Sequence, residues 1–222
     1  MDIKATKIHN VFISHKHTDH LFGLFWIIRK VGSLLNSGKY EGNLNIYCHK
    51  ELEEIIRTIS NLTLLPKFLK YFGNRINIIA VNDREEVKIN NTKIQFVDMQ
   101  STKDLQYGFV ASLSDGKKLA FLGDEPYKNN FDDLIKNSDW LLSEAFCLYE
   151  EREIHKPYEK HHNTVKESCE MAKSLNVKNL ILWHTEDKNI DNRKELYTKE
   201  AKQYFDGNIF VPNDFEVIEL DY

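Results

Sequence analysis

The chain of 222 residues has 41% hydrophobic and 29% charged residues and a formal net charge of −4. This length is typical of one large domain, here residues 1–222, that can bury a core of its own. The longest apolar run, Leu21–Ile28, is too short to span a bilayer, and the N-terminal residues lack the apolar segment of a signal peptide. Scattered lysines and arginines offer no surface for gripping long nucleic acid. We therefore predict a soluble cytoplasmic protein without a membrane partner.

Short β-rich runs alternate with segments of helical periodicity along the chain. The predicted strands are Val11–Ser14, Leu44–Cys48, Ile76–Val81, Thr92–Met99, Gln106–Leu113, Lys118–Leu122, Trp140–Ala145, Asn179–Trp183 and Phe215–Leu220. The predicted helices are Leu21–Leu35, Lys50–Ile59, Phe131–Ile135, Val165–Leu175 and Arg193–Tyr204. Ser114-Asp115-Gly116 is typical of a hairpin turn between two of these strands. The alternation indicates an α/β fold in which helices cover sheets and chemistry lies at strand ends.

Closely spaced histidines follow the first predicted strand. His15, His17, Asp19 and His20 place four potential metal ligands at the junction of a strand and a helix. Imidazole and carboxylate together suit zinc, iron or manganese, and a set without thiolate is typical of an open catalytic site. The alternative is a solvated polar turn, which rarely combines three histidines and an aspartate in this pattern. The three cysteines have no CxxC pair and argue against a thiolate site or a disulfide framework.

Two further strand ends carry candidate ligands. Asp124 follows the strand Lys118–Leu122, where one carboxylate could bridge two metal ions. The alternative for Asp124 is a plain turn. His184 ends the strand Asn179–Trp183, and a single histidine in such a place is more often structural than a ligand.

These segments together resemble the metallo-β-lactamase superfamily, whose HxHxDH motif is present as His15, His17, Asp19 and His20. The resemblance is closest to the ribonuclease Z-like branch, through the segments Gly108-Phe109, Gly123-Asp124, Leu142-Ser143-Glu144-Ala145, His162-Asn163-Thr164 and His184. It implies an αββα sandwich of two mixed sheets packed face to face with helices outside. It also implies one zinc on His15, His17 and Asp124 and another on Asp19, His20, Asp124 and His184.

His162 lies before a predicted helix start. Thr164 and Glu167 fit a capping box that opens the helix Val165–Leu175, so His162 would lie beside free backbone N–H groups that favour an anion. His162 could contact a phosphate or protonate a leaving oxygen. Alternatively, His162 is merely a solvated residue before a helix. Glu144 could orient His162, or it could be a satisfied polar residue at a strand end. We assign Asp19, His162 and Glu144 as the candidate catalytic residues.

The sequence departs from the family pattern in two places. The family supplies a third histidine to the first zinc before the Gly-Phe strand, whereas residues 98–102 contain none. Water could fill the gap, Asp98 could reach in, or a single well-formed site could suffice, and we favour two unequal sites. The chain also begins about one strand before the motif, so we expect the family's first strands to be missing. An exposed sheet edge would then favour a homodimer.

The family's transfer-RNA-processing members carry a long basic arm between the Gly-Phe strand and the bridging aspartate. Here residues 108–124 leave room only for a hairpin, which gives no strong case for tRNA. The resemblance therefore implies a zinc-dependent hydrolase, with manganese or iron as alternative metals, in which metal-bound hydroxide attacks a small or short phosphodiester. The alternatives are hydrolysis of a thioester, lactone or amide on the same fold, and a non-catalytic metal-binding scaffold.

Overall fold

The computed structural model describes residues 3–129 and 131–220, which form two β-sheets. The smaller sheet has the order β1-β2-β3 and is parallel throughout. Its strands are β1 (Asn10–Phe12), β2 (Leu44–Cys48) and β3 (Ile76–Ala80). Its crossovers are the helices α1 (Thr18–Asn36), α2 (Lys50–Thr63) and α3 (Pro66–Leu69). Because each crossover returns the chain to the same end of the sheet, the strands cannot alternate in direction.

The larger sheet is mixed and has the order β10-β9-β8-β7-β6-β5-β4. Its antiparallel strands are β4 (Glu86–Ile89), β5 (Thr92–Asp98), β6 (Tyr107–Ser112) and β7 (Lys118–Phe121). The strands β8 (Trp140–Glu144), β9 (Asn179–Trp183) and β10 (Asn208–Phe210) then run parallel to β7. The helices of this half are α4 (Asp132–Ile135), α5 (Arg152–His155), α6 (Val165–Ser174) and α7 (Arg193–Ala201).

Alternating side chains assign the two faces of each sheet to different cores. Ile46 of β2 packs with α1 and α2, whereas its neighbour Tyr47 packs with the larger sheet. In β5, Phe96 faces the smaller sheet and Val97 faces α6 and α7. Phe12 joins the two sheets, with its ring 5.3 Å from that of Phe96. The layers are therefore helix, sheet, sheet and helix, which confirms the predicted αββα sandwich.

Most predicted elements are present, and the differences lie mainly at the sheet edges. The last strand is β10 rather than the predicted Phe215–Leu220, a segment in which Phe215 is exposed and has a positive φ of 64°. The edge strand β4 was not predicted, nor were the short helices α3 and α5. The prediction of two mixed sheets holds only for the larger sheet. No helix within the described residues is long and apolar enough to cross a membrane.

The hairpin and the cysteines agree with the predictions. Gly116 adopts a positive φ of 85° between β6 and β7, and the N–H of Leu113 donates to Lys117 across the turn at 2.8 Å. Cys48, Cys147 and Cys169 are free and buried.

Candidate metal centre

The histidine motif lies where the two sheets meet. The N–H of Ile13 donates to Tyr47 of β2 at 3.0 Å, and the carbonyl of Ser14 accepts from Tyr107 of β6 at 3.0 Å. His17 is the residue before α1, and its carbonyl accepts the N–H of Leu21 at 2.9 Å. The motif thus connects the two sheets before its last two members, Asp19 and His20, enter the first turn of α1.

Backbone conformation positions the two other candidate ligands. Gly123 has a positive φ of 73°, and a Cβ atom there would lie 2.4 Å from Gln106 Nε2. Only glycine satisfies both conditions, and Asp124 follows it directly. His184, after β9, also has a positive φ, of 55°. Such a conformation is uncommon for a residue with a side chain and is concentrated at functional sites.

Asp19, His20 and His184 each offer one ligand atom, and these atoms lie within 4.8 Å of one another; Asp124 adjoins this group through the two histidines. Nε2 of His20 lies 3.2 Å from Asp19 Oδ2, 3.5 Å from Asp124 Oδ2 and 3.3 Å from His184 Nε2. His184 Nε2 lies 3.5 Å from Asp19 Oδ2 and 3.7 Å from Asp124 Oδ2. Two ligands about 2.1 Å from a tetrahedral zinc ion lie about 3.4 Å apart. The geometry and the chemistry of this donor set therefore fit one divalent metal ion.

His15 forms a second set with His20 and the same aspartate, whereas His17 adjoins His15 but belongs to none of the metal-ligand groups found among the described residues. Nε2 of His15 lies 2.9 Å from Nδ1 of His17 and 3.5 Å from Oδ1 of Asp124. Two neutral imidazole nitrogens this close need a proton or a shared cation between their lone pairs. Asp124 thus presents Oδ2 to His20 and His184 and Oδ1 to His15, which is the arrangement that a bridging carboxylate requires.

Burial favours the neutral forms of His15 and His184, which are the forms that bind metal. It lowers the pKa of His15 to about 4 and lowers the pKa of His184, in spite of the opposing charge of Asp124. Burial would raise the pKa of Asp124, but a hydrogen bond from His20 and the charges of His15 and His184 bring it below its ordinary value. Neutral imidazoles and an ionised carboxylate are the forms that act as ligands.

The missing third histidine is not replaced by Asp98. The carboxylate of Asp98 accepts the N–H of Gln100 at 2.8 Å, and Asp98 belongs to none of the metal-ligand groups found among the described residues. Asp104 instead accepts a hydrogen bond from Nε2 of His17 at 3.1 Å. Gln106 donates to Oδ1 of Asp124. Two residues just after this segment, Asp104 and Gln106, therefore support His17 and Asp124. The sequence did not predict this role, because it depends on contacts between distant segments.

His162 and Glu144 form a buried pair next to the candidate ligands. Nδ1 of His162 lies 2.8 Å from Oε2 of Glu144, whose Oε1 accepts the N–H of Asn163 at 2.8 Å. Phe146 stacks on the His162 ring at 4.9 Å. Burial raises the pKa of Glu144 and lowers that of His162, so it disfavours charge on both groups. The short hydrogen bond favours a single proton held between them.

Lys103 is a further residue of the site that the sequence analysis missed. With His15, His17, Asp124 and other residues it lines a narrow crevice. Its positive charge is the second cause, after burial, of the lowered pKa of His162. No ion-pair partner of Lys103 is found among the described residues. This lysine therefore gives an otherwise acidic site a cation that can meet an anionic group.

Comparison with known proteins agrees with this fold. Ribonuclease Z of Ligilactobacillus salivarius is 24% identical over 266 aligned residues, which cover 99% of this chain and 82% of the relative. Ribonuclease Z of Listeria monocytogenes is 26% identical and is covered to 83%, with 98% of this chain aligned. The crystal structure of the metallo-β-lactamase fold protein YhfI from Bacillus subtilis superposes with a TM-score of 0.73 at 22% identity, covering 97% of this chain and 79% of that one. The crystal structure of human tRNase Z, short form, superposes with a TM-score of 0.73 at 19% identity, and the superposition covers 99% of this chain and 82% of that one.

A four-layer sandwich with a histidine- and aspartate-rich cluster at the sheet ends defines a hydrolase of the metallo-β-lactamase fold. The family model described as "Beta-lactamase superfamily domain" matches residues 2–185. This chain belongs to that family, and the predicted superfamily and the resemblance to ribonuclease Z are confirmed.

Proposed function

We propose that this hydrolase cleaves a small or short phosphodiester with the help of one or two divalent metal ions. The observation that carries the proposal is the placement of Asp124, with one carboxylate oxygen toward each histidine set. The name ribonuclease Z of the similar proteins supports a phosphodiester as substrate.

The ligands of the complete set would be Asp19, His20, Asp124 and His184. His15, His17 and Asp124 would hold a second ion with lower affinity, since the third histidine is absent. We propose zinc because imidazoles and carboxylates suit it, with manganese or iron as alternatives. A divalent ion held here supplies Lewis-acid chemistry, which lowers the pKa of water and neutralises charge on a phosphoryl group.

His162 would provide the proton for the leaving oxygen. Its Nδ1 is held by Glu144, which directs Nε2 toward the face shared with Asp124 and His184. Glu144 is then a positioning residue that fixes the ring and its tautomer. Lys103 would pair with a phosphate oxygen of the substrate at the edge of the site. Asp19, exposed at the mouth of the site, would assist catalysis as a ligand whose free oxygen can accept a proton.

Several features favour a small substrate. The β6–β7 connection is a tight hairpin, and the net charge is −4. The alignment with the Ligilactobacillus relative spans 266 positions against 222 residues here, so that relative contains segments that this chain lacks. We infer that a short or small phosphodiester fits better than a folded tRNA.

A substrate panel tests the proposal. Purified protein supplied with zinc or manganese is assayed with bis(p-nitrophenyl) phosphate, a cyclic nucleotide, a thioester and a lactone, alongside the Asp124→Asn variant. We expect turnover of a phosphodiester that Asp124→Asn loses. Turnover of only the thioester or lactone would assign a different hydrolase, and metal binding without any turnover would favour the scaffold.

We propose that the protein forms a homodimer, with a second copy of this chain as the partner. β1 is an edge strand in the described part of the smaller sheet, and its free backbone groups could pair with a second copy. Light scattering tests this, and a monodisperse monomer would exclude it.

A further inference from the structure

A separate group of potential metal ligands lies outside the candidate metal centre. Glu151 ends a 3-10 turn, His155 lies in α5 and Glu186 follows β9. Each of the three offers one ligand atom, and these atoms lie within 4.8 Å of one another. None of the three belongs to the site described above.

One ring nitrogen of His155 lacks a hydrogen-bond partner among the described residues. This nitrogen, Nε2, is buried. The nearest carboxylate oxygens are Glu151 Oε2 at 3.7 Å and Glu186 Oε2 at 3.9 Å. These distances exceed a hydrogen bond, for which about 2.7–3.2 Å is usual. They are close to the roughly 3.4 Å that separates two ligands of one tetrahedral ion.

The two carboxylates are already held in place by other groups. Asn189 Nδ2 donates to Glu151 Oε2 at 2.7 Å and to Glu186 Oε1 at 3.0 Å. The backbone N–H of Lys188 donates to Glu186. The ammonium of Lys188 lies 3.1 Å from Glu151 Oε1, so one carboxylate keeps a lysine partner and the second does not. A preorganised pair of carboxylates beside an unpartnered imidazole is a donor set for a first-row divalent cation.

We propose that Glu151, His155 and Glu186 bind a structural divalent transition-metal ion. The ion joins the segment of α5 to the loop after β9, two residues beyond His184. The ring of His155 meets that of Phe146 edge-on at 6.3 Å, and Phe146 stacks on His162. Binding there therefore holds the loop that carries His184 and the aromatic support of His162. This inference concerns a separate site and does not depend on the proposed phosphodiesterase activity.

The test counts metal ions in a protein whose first site is disabled. The full chain carrying His20→Ala and Asp124→Ala is titrated with Zn²⁺ and with Co²⁺, and bound ions are counted by native mass spectrometry. We expect one ion per chain, a Co²⁺ absorption spectrum, and an increase in Tm on binding. Adding His155→Ala, or separately Glu186→Gln, should abolish all three signals.

His9→Ala in the same background is the matched control, because the His9 ring packs against Tyr40 and His9 belongs to none of the metal-ligand groups of the described residues. It should keep the ion. Circular dichroism establishes that each variant is folded, and Glu186→Gln serves if His155→Ala is not. Retention of one ion in both folded variants, or no ion in the background protein, would overturn the proposal.

Discussion

The contacts of His17 separate its two ring nitrogens into two roles. Nδ1 faces Nε2 of His15 at 2.9 Å, whereas Nε2 donates to Asp104 at 3.1 Å. A carboxylate on the outer nitrogen fixes the tautomer and raises the basicity of the ligating one. Asp104 thus orients the His17 ring and itself belongs to none of the metal-ligand groups of the described residues.

Replacing Asp104 should therefore weaken one metal site and spare the other. We expect Asp104→Asn to lower the affinity of the weaker metal position by about 10- to 100-fold, because His17 loses its anionic partner. Metal titration followed by calorimetry measures this, with Asp206→Asn, an exposed partner of Lys173, as the control. Equal weakening of both positions would argue against the division of ligands described above.

Lys103 provides a prediction about the substrate. We expect Lys103→Met to raise KM for bis(p-nitrophenyl) phosphate by about 10-fold, since a charged hydrogen bond is worth about 1.5–3 kcal/mol. Lys88→Met, on the exposed face of β4, should leave KM unchanged. An unaltered KM in Lys103→Met would remove this lysine from the binding of the anion.

His15 gives the metal-free protein a dependence of stability on pH. Its pKa is about 4 when folded, because of burial, against 6.5 when unfolded. The unfolded chain therefore takes up a proton first as the pH falls, so the stabilisation is fully present above pH 6.5 and is lost progressively toward pH 4. The loss amounts to roughly 3 kcal/mol at most.

Urea unfolding of chelator-treated protein between these pH values measures the effect. His15→Gln should show a flatter dependence of the free energy of unfolding on pH, because glutamine does not titrate. Parallel curves for the two proteins would mean that other groups control the acid sensitivity.

Short motifs were the easiest part of the site to predict. His15, His17, Asp19 and His20 are neighbours in sequence, so their local spacing already indicates a shared function. The roles of Asp104 and Lys103 could not be predicted in this way, because they depend on contacts between distant parts of the chain. Asp104 contacts His17, about ninety positions earlier, and Lys103 acts on residues about forty to sixty positions later. In the sequence, only the neighbouring residues 98–102 stand out, because they lack the histidine that the family has there.

At the scale of elements, the start of α6 connects local sequence to the catalytic pair. Thr164 and Glu167 form the predicted capping box, and the N–H of Thr164 donates to Glu167 Oε2 at 2.8 Å. Ser168, in the first turn of the same helix, donates to the backbone carbonyl of Glu144. The helix start therefore fixes both His162 and the strand end that carries its partner.

Removing the cap should destabilise the protein by a measurable amount. We expect Thr164→Ala to lower the free energy of unfolding by about 1 kcal/mol, since an N-terminal cap satisfies backbone donors that alanine cannot. Chemical denaturation measures the change. Glu170→Ala, exposed on the same helix, should cost much less, and an equal loss in the two variants would contradict a capping role.

The elements that sequence analysis misplaced share a physical cause. β4 alternates charged and apolar residues at a sheet edge, where Glu86 and Lys88 face solvent and weaken the strand signal. Phe215–Leu220 has strand-like composition, but it joins neither sheet, and β10 is the edge strand. Interior strands were predicted well because burial on both faces demands continuous apolar sequence.

For the whole molecule, the candidate metal centre is a connection between two layers. His15, His17 and His20 belong to the smaller sheet and its first helix, whereas Asp124 and His184 follow strands of the larger sheet. The aromatic contacts of Phe12 hold the sheets together elsewhere. A metal ion bound by both groups would add a link that the unfolded chain cannot make.

Chelation should therefore lower the stability of the entire fold. Saturation at 100 times the dissociation constant stabilises a protein by about 2.7 kcal/mol, which corresponds to roughly 5–10 °C in Tm for a chain of this size. We expect EDTA to lower Tm by that amount and added zinc to restore it, as measured by calorimetry. Asp124→Asn should respond much less, because it removes the one residue that both ligand sets share. If EDTA leaves the Tm of the native sequence unchanged while bound metal is lost, the ion does not connect the two sheets, and their packing alone accounts for the stability.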